Sequence, residues 1–333
     1  MLGVEGGEVL VPAYHHGVEI EALIDAGARP VFYRVGSRWE VDLADVARRI
    51  TSQTSALYLI HFAGFPGPVR EMKGLAEEHG LPLIEDCALS LLSQDGALKL
   101  GTVGDIGIFC LYKSLPTPNG GALVVNGAER LSLPSYPPPP VASAFSHTIA
   151  ALLRNIELRG GAAGHWARVM VHSVGCGAVR AGRIERVAIG TTHFDRAHLE
   201  MGISPLTLKI AYGLDMAAIV DRRRRNYHCL LEGLRDLAVP HISDLPLGVC
   251  PLFYPLVVRN KPEILARLHA AGIGAVDFWR DAHPACDPAE FPDVTQLRRT
   301  IIELPCHQDL APDTMTRLAH VVRRVLCEQS CTH

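Results

Sequence analysis

Apolar and polar positions alternate along the first 125 residues in a pattern that switches repeatedly between strand and helix. Gly6-Gly7 marks a turn, Val9–Val11 a short strand, and Pro12 its end. Val18, Ile20, Ala22, Leu23 and Ala26 then fall at helical spacing up to Gly27. Pro30–Val35 predicts a second strand, and Asp42 opens a helix carrying Leu43, Val46 and Ile50. Ala56–Phe62 is a near-continuous apolar run, the signature of a strand buried on both faces of a parallel sheet. Gly64, Pro66, Gly67 and Pro68 break it before a helix at Val69–His79. A further apolar run, Leu81–Ile84, leads to Asp86, and another, Ile106–Tyr112, to Lys113. Alternation of this kind predicts an α/β fold.

Beyond Asn126 the pattern weakens. Ser132–Pro140 holds five prolines and reads as a rigid loop, Ser143–Leu158 as a helix, and residues 165–200 as irregular. Ser204-Pro205 is a helix start, and the pattern after it predicts one long connecting helix over about 205–237. Within it, Arg222–Arg225 fan around the circumference and read as a solvated face. Residues 238–333 predict a small α+β domain: a strand at Leu252–Val258, a helix at Lys261–Ala271, a strand at Ile301–Leu304 and a helix at Pro312–Leu326. The division is thus a large domain, 1–237, with a variable region at 127–200, followed by the small one.

Composition narrows the function classes. Of 333 residues, 48% are hydrophobic and 20% charged, with a net charge of −3, which gives no basis for binding nucleic acid or an anionic membrane. No apolar run approaches the roughly 20 residues of a spanning helix, and a signal-peptide pattern is absent. Nine scattered cysteines without a CxxC pair read as reduced thiols in a cytoplasmic protein, with no structural metal. Gly101, Gly104 and Gly107 have the wrong spacing for a dinucleotide fingerprint and precede a strand. His61, at a strand end, reads as a hydrogen-bonded core histidine.

Asp86 and Lys113 each close an apolar strand, where open α/β sheets place their ligands. An acid and an amine there suit a pyridoxal phosphate site, the amine forming a Schiff base and the carboxylate pairing with the pyridine nitrogen. The surrounding motifs are Ile84–Ala88 (IEDCA), Gly101–Phe109 (GTVGDIGIF) and Lys113 with its trailing Gly120–Ala122. Together they resemble the DegT/StrS family of pyridoxal-phosphate sugar aminotransferases. The resemblance implies a fold-type I enzyme with a mostly parallel seven-stranded sheet. It implies Lys113 as the catalytic residue and Asp86, Ala88, Asn119, Gly120 and Gly121 around the cofactor. Cys110 stands three positions before Lys113, where related enzymes often place a phosphate-binding hydroxyl, and His16 where the family stacks an aromatic ring on the cofactor. Trp279, Arg280 and His283 are candidate substrate contacts, with a packed seam as the alternative. Further implied are an amino donor such as glutamate, a nucleotide-linked keto-sugar acceptor and a homodimer. Family dehydratases carry His in place of the Lys, which sets that branch aside.

The sequence departs from the family at Leu89, where relatives carry His or Gln, and in a shorter gap before Lys113. Relatives also carry about one more helix and strand before the segment matching Val9–Val11, including a small-residue turn that binds the cofactor phosphate. Two accounts fit: an enzyme whose reading frame was started at a downstream Met, or a truncated paralogue acting as a scaffold or regulatory subunit.

Overall fold

The computed structural model describes residues 2–127, 135–140, 194–196, 199–237 and 241–330. The helix expected at 143–158 and most of the variable region lie outside the described residues. Packing divides the chain into two units. The first comprises Met1–Phe109, Leu123–Leu131 and Met216–His333, and the second Cys110–Ala122 and Ser132–Asp215.

The first unit is built on strands β1 (Glu8–Pro12), β2 (Arg29–Tyr33), β3 (Thr54–Ile60), β4 (Leu83–Asp86), β7 (Ile106–Cys110) and β8 (Gly121–Val125). Their order is β2-β1-β3-β4-β7-β8, and the first five pair in parallel. The described sheet therefore has six strands where the family resemblance implied seven. Helices α1 (Val18–Asp25), α2 (Leu43–Arg49) and α3 (Val69–Glu78) form the crossovers. Local chemistry sets their ends. The Glu19 carboxylate accepts from the His16 and Gly17 amides ahead of α1, and Asp42 caps α2 by accepting from the Asp45 amide at 2.9 Å. Two short strands, β5 (Gln94–Asp95) and β6 (Leu98–Lys99), form a separate antiparallel pair.

The expected long connecting helix is two helices, α5 (Pro205–Tyr212) and α6 (Met216–Leu234), interrupted at Gly213. Glycine in a helix interior costs backbone entropy, and here it ends the first segment. The basic run on α6 is not simply solvated. Arg223 is buried and donates to the carbonyls of Pro251 and Leu252, while Arg224 donates to those of Pro246 and Val249. Both satisfy carbonyls of a segment without regular structure.

The rest of the first unit holds β9 (Phe253–Val257), α7 (Lys261–Ala270), β10 (Val276–Asp277), α8 (Pro292–Thr300), β11 (Ile301–Pro305) and α9 (Pro312–Ser330). β10, β11 and β9 pair antiparallel in that order. This sheet shares one apolar core with β1–β4, in which Tyr14, Phe62, Phe253 and Phe278 are buried together. By packing, residues 241–330 thus group with the parallel sheet.

Candidate active site

Asp86 ends β4 beside β3, with Tyr58 opposite Ile84 and Ile60 opposite Asp86. Side chains two residues apart on a strand share a face, so Tyr58 can reach along its neighbour to Asp86. Its hydroxyl donates to Asp86 Oδ2 at 2.8 Å, and the Ala88 amide donates to Oδ1 at 2.8 Å. Burial, reinforced by the nearby Asp86 charge, pushes the Tyr58 phenol well above its usual range, so it keeps its proton and donates. An ionised carboxylate accepts about four hydrogen bonds, and two of these directions remain. This buried acid thus has capacity for a cationic ring N–H, which is the fit a pyridinium requires.

Glu85 points to the other face of β4 and does a different job. It is fully buried and accepts from His61 Nε2 at 3.1 Å, from the Gly101 and Val103 amides at 2.8 Å each, and from the Gly104 amide. His61 Nδ1 accepts from the Gly67 amide at 2.9 Å, which places the ring proton on Nε2, toward Glu85. Burial raises the Glu85 pKa, but the hydrogen bonds from His61, Gly104 and Gly101 outweigh it and hold it below the ordinary range. The glycine spacing that imitates a nucleotide motif serves this turn. Gly101 has φ +81°, and a side-chain carbon there would lie 2.3 Å from the Phe109 ring; one at Gly107 would lie 2.4 Å from the Gly101 carbonyl. Donor atoms of His61, Glu85 and Cys87 lie within 4.8 Å of one another, but four N–H groups already occupy the carboxylate's acceptor directions.

Lys113 belongs to the second unit. The apolar run expected as one strand to Tyr112 ends at Cys110, and Lys113 sits instead on the one-turn helix α4 (Leu111–Ser114). Its side chain is exposed, so the burial expected of a catalytic lysine is not seen. The turn is closed from behind, with the Leu111 amide donating to the Gly120 carbonyl at 3.0 Å. Asn119 is clasped by the start of α5. The Thr207 hydroxyl lies 2.8 Å from Asn119 Oδ1 and 3.2 Å from its carbonyl, and the Ser204 amide reaches Oδ1 at 3.3 Å. Gly120 packs on the same helix start at φ +113°. The buried Thr117 hydroxyl, four positions after Lys113, has no partner among the described residues. Cys110 is half-buried at the entry to α4 and lies outside any disulfide.

The remaining candidates lie in the first unit. The His16 ring stands 6.3 Å from that of Trp279, while His15 is the fully buried one. His15 Nδ1 donates to the Pro12 carbonyl at 3.1 Å and its Nε2 accepts from the His283 amide at 3.1 Å. Trp279 packs flat on Phe278, with ring centroids 4.6 Å apart, and against Tyr14 and Phe62. His283 accepts from the Ala285 amide through Nδ1, so its Nε2 donates to Glu21 at 3.0 Å. Trp279 and His283 are therefore engaged in packing and hydrogen bonding within this unit, whereas Arg280 is exposed. Sequence reasoning missed Tyr58, Glu85 and Arg298. Glu85 adjoins Asp86 in the IEDCA motif, and that adjacency was the available signal.

Residues 1–132 match the profile of the DegT/DnrJ/EryC1/StrS aminotransferase family. A UDP-N-acetyl-3-dehydro-alpha-D-glucosamine 3-aminotransferase from Acidithiobacillus ferrooxidans is 26% identical, over 96% of this chain and 78% of its own. A GDP-perosamine synthase from Vibrio cholerae is 34% identical over a shorter stretch, 38% of this chain and 35% of its own. The crystal structure of the aminotransferase TlmJ from Streptoalloteichus hindustanus superposes with a TM-score of 0.67 at 22% identity, covering 98% of this chain and 82% of that one, which shows a shared fold. The resemblance read from the three motifs is thereby borne out.

Proposed function

We propose that this relative of the DegT/DnrJ/EryC1/StrS aminotransferases moves an amino group from an amino acid, glutamate foremost, to a keto-sugar carried on a nucleotide, with pyridoxal 5'-phosphate as cofactor. The observation that carries the reading is the buried Asp86 carboxylate, held by Tyr58 and Ala88 with acceptor capacity to spare. The cofactor, when bound, supplies an electron sink that acidifies the donor's Cα proton. Asp86 would hold the cofactor's ring N–H and favour its cationic form. Tyr58 orients that carboxylate and never gives up its own proton. Lys113 would tether the cofactor through its amine and, once freed, take up and return the donor's Cα proton.

Asp86 and Lys113 are assigned to one cofactor on the strength of the IEDCA and KSLPTPNGG motifs. Asn119, Gly120, Gly121 and Ala88 supply the surrounding backbone, His16 the stacking ring, and Cys110 a wall of the site. Of the three substrate candidates, Arg280, which is exposed, is the one proposed to meet an anionic nucleotide. The working species is a homodimer in the cytoplasm, a placement supported by seven free cysteines among the described residues.

Purified protein incubated with pyridoxal phosphate, glutamate and UDP- or dTDP-linked 3- and 4-keto-sugars should release 2-oxoglutarate and yield an amino-sugar nucleotide by mass spectrometry. Absence of an amino-sugar nucleotide with every keto-sugar and every amino donor would count against the reading.

A further inference from the structure

One cavity of the first unit, about 250 Å³, lies against one side of α8, bordered by Arg280, Asp281, Cys286, Thr295, Arg298 and Arg299. Thr295, Arg298 and Arg299 stand at i, i+3 and i+4 on the helix and therefore share a face. The chemistry of the rim is lopsided. Three guanidiniums meet one carboxylate, and none of the three forms an ion pair among the described residues.

Arg298 is the unusual member, at 6% exposure. Its Nη1 donates to the carbonyls of Trp279 and Asp281 at 2.8 Å and of His15 at 3.1 Å, and its Nη2 donates to Ala13 at 3.1 Å. These four bonds pin the Trp279 turn, where Trp279 holds φ +42°, to the end of β1. The Nε–H is buried and has no partner among the described residues. A buried donor on a charged group is costly to leave unmade, so it marks a place where an acceptor belongs. The carboxylates of Glu19 and Asp281 act on Arg298 only through space, and Tyr14 lies under its guanidinium at 5.3 Å.

From the orphan Nε–H and the uncompensated rim we infer that this cavity binds a phosphate group, with Arg298 as the inner donor and Arg280 and Arg299 as the outer cations. Three positive charges against one negative leave a surplus of two, which matches a phosphate carrying about −1.5 to −2 at neutral pH better than a carboxylate. The exposed Arg280 and Arg299 are also suited to this ligand, since a planar guanidinium fork meets phosphate oxygens in pairs, while Arg298 adds its single Nε–H. The phosphate can come from free inorganic phosphate or from a nucleotide-linked metabolite. Arg280 is also the residue proposed above to meet the substrate's nucleotide, so a nucleotide ligand here rests on that reading, whereas binding of free phosphate does not.

The test is calorimetric titration of the purified protein, saturated with pyridoxal phosphate, using inorganic phosphate and, separately, UDP. Arg280→Met/Arg299→Met removes two rim charges from exposed side chains and should leave the melting temperature of the ligand-free protein unchanged. Wild type should bind phosphate saturably, and the double variant about tenfold more weakly or worse, the loss of one or two charge-assisted hydrogen bonds. UDP binding that competes with phosphate and weakens in the same variant assigns the site to a nucleotide's phosphates; phosphate binding without UDP binding assigns it to the free ion. Binding of neither up to about 10 mM, or binding equal in wild type and variant, overturns the inference.

Discussion

The Tyr58 hydroxyl donates to Asp86 Oδ2 at 2.8 Å, from one buried strand to the end of the next. The bond depends on parallel register: Tyr58 faces Ile84, and Asp86 is one side-chain period further along the same face. The phenol is held protonated by burial and by the carboxylate itself. It is therefore a fixed donor that sets the acid's orientation. Tyr58→Phe should cost about 1 kcal/mol of folding stability, the net worth of one such bond, and weaken pyridoxal phosphate binding severalfold. Urea unfolding and a spectroscopic cofactor titration check the two effects separately. Unchanged affinity in Tyr58→Phe would remove the orienting role.

Glu85 predicts a different phenotype from its neighbour. Replacing it by Gln puts an amide NH2 among the N–H groups of His61, Gly101, Val103 and Gly104, so at least one buried donor loses its acceptor. The expected loss is about 1–3 kcal/mol for each donor left unpaired. Asp86→Asn should leave stability much closer to wild type while weakening cofactor binding. Chemical denaturation of both variants tests the contrast, and equal stability losses would contradict it.

Thr207 touches Asn119 rather than Lys113, yet Asn119 and Gly120 back the turn on which Lys113 sits. Thr207→Val keeps the shape and removes the hydroxyl. It should lower turnover severalfold with little change in KM, whereas Thr207→Ser should restore most of it. A stability loss with unchanged turnover would mean that the clasp is only structural.

Acid sensitivity follows from buried histidines. Burial, aided by the Arg298 charge, lowers His15 to about 3, and burial, aided by Arg38, lowers His241 to about 4. Between these values and the ordinary 6.5 the unfolded chain takes up protons that the folded protein refuses. Stability should therefore fall as pH drops from about 6.5 toward 4, with a limiting slope of about 1.4 kcal/mol per pH unit for each linked group. Glu85 acts in the same direction at lower pH, since its depressed pKa contributes stability that is lost on protonation. Urea unfolding at pH 7, 6 and 5 measures the slope, which His15→Gln should reduce. A flat profile would contradict the burial of these rings.

The alternation through β1, α1, β2, α2, β3, α3 and β4 was legible because each strand is an apolar run closed by glycine, proline or an acid. The strand carrying Lys113 was overextended, since Leu111 and Tyr112 are as apolar as Ile106–Cys110 but wind into α4. Pattern alone cannot separate the last residues of a buried strand from the first turn of a buried helix. The interruption at Gly213 was hidden by good helical spacing on either side. Tyr58 was unreadable for another reason: within an apolar strand its ring reads as core, and only the register with β4 shows where its hydroxyl goes. Arg298 likewise reads as a helix-surface charge until the fold sets the carbonyls of Ala13, His15, Trp279 and Asp281 around it.

Lys113 is the residue proposed to bond to pyridoxal phosphate. Borohydride reduction of the protein–cofactor mixture, followed by proteolysis and mass spectrometry, tests it most directly. A pyridoxyl adduct is expected on the peptide carrying Lys113, and no visible-range absorbance band in Lys113→Ala. An adduct on another lysine, or an unchanged band in Lys113→Ala, would contradict it.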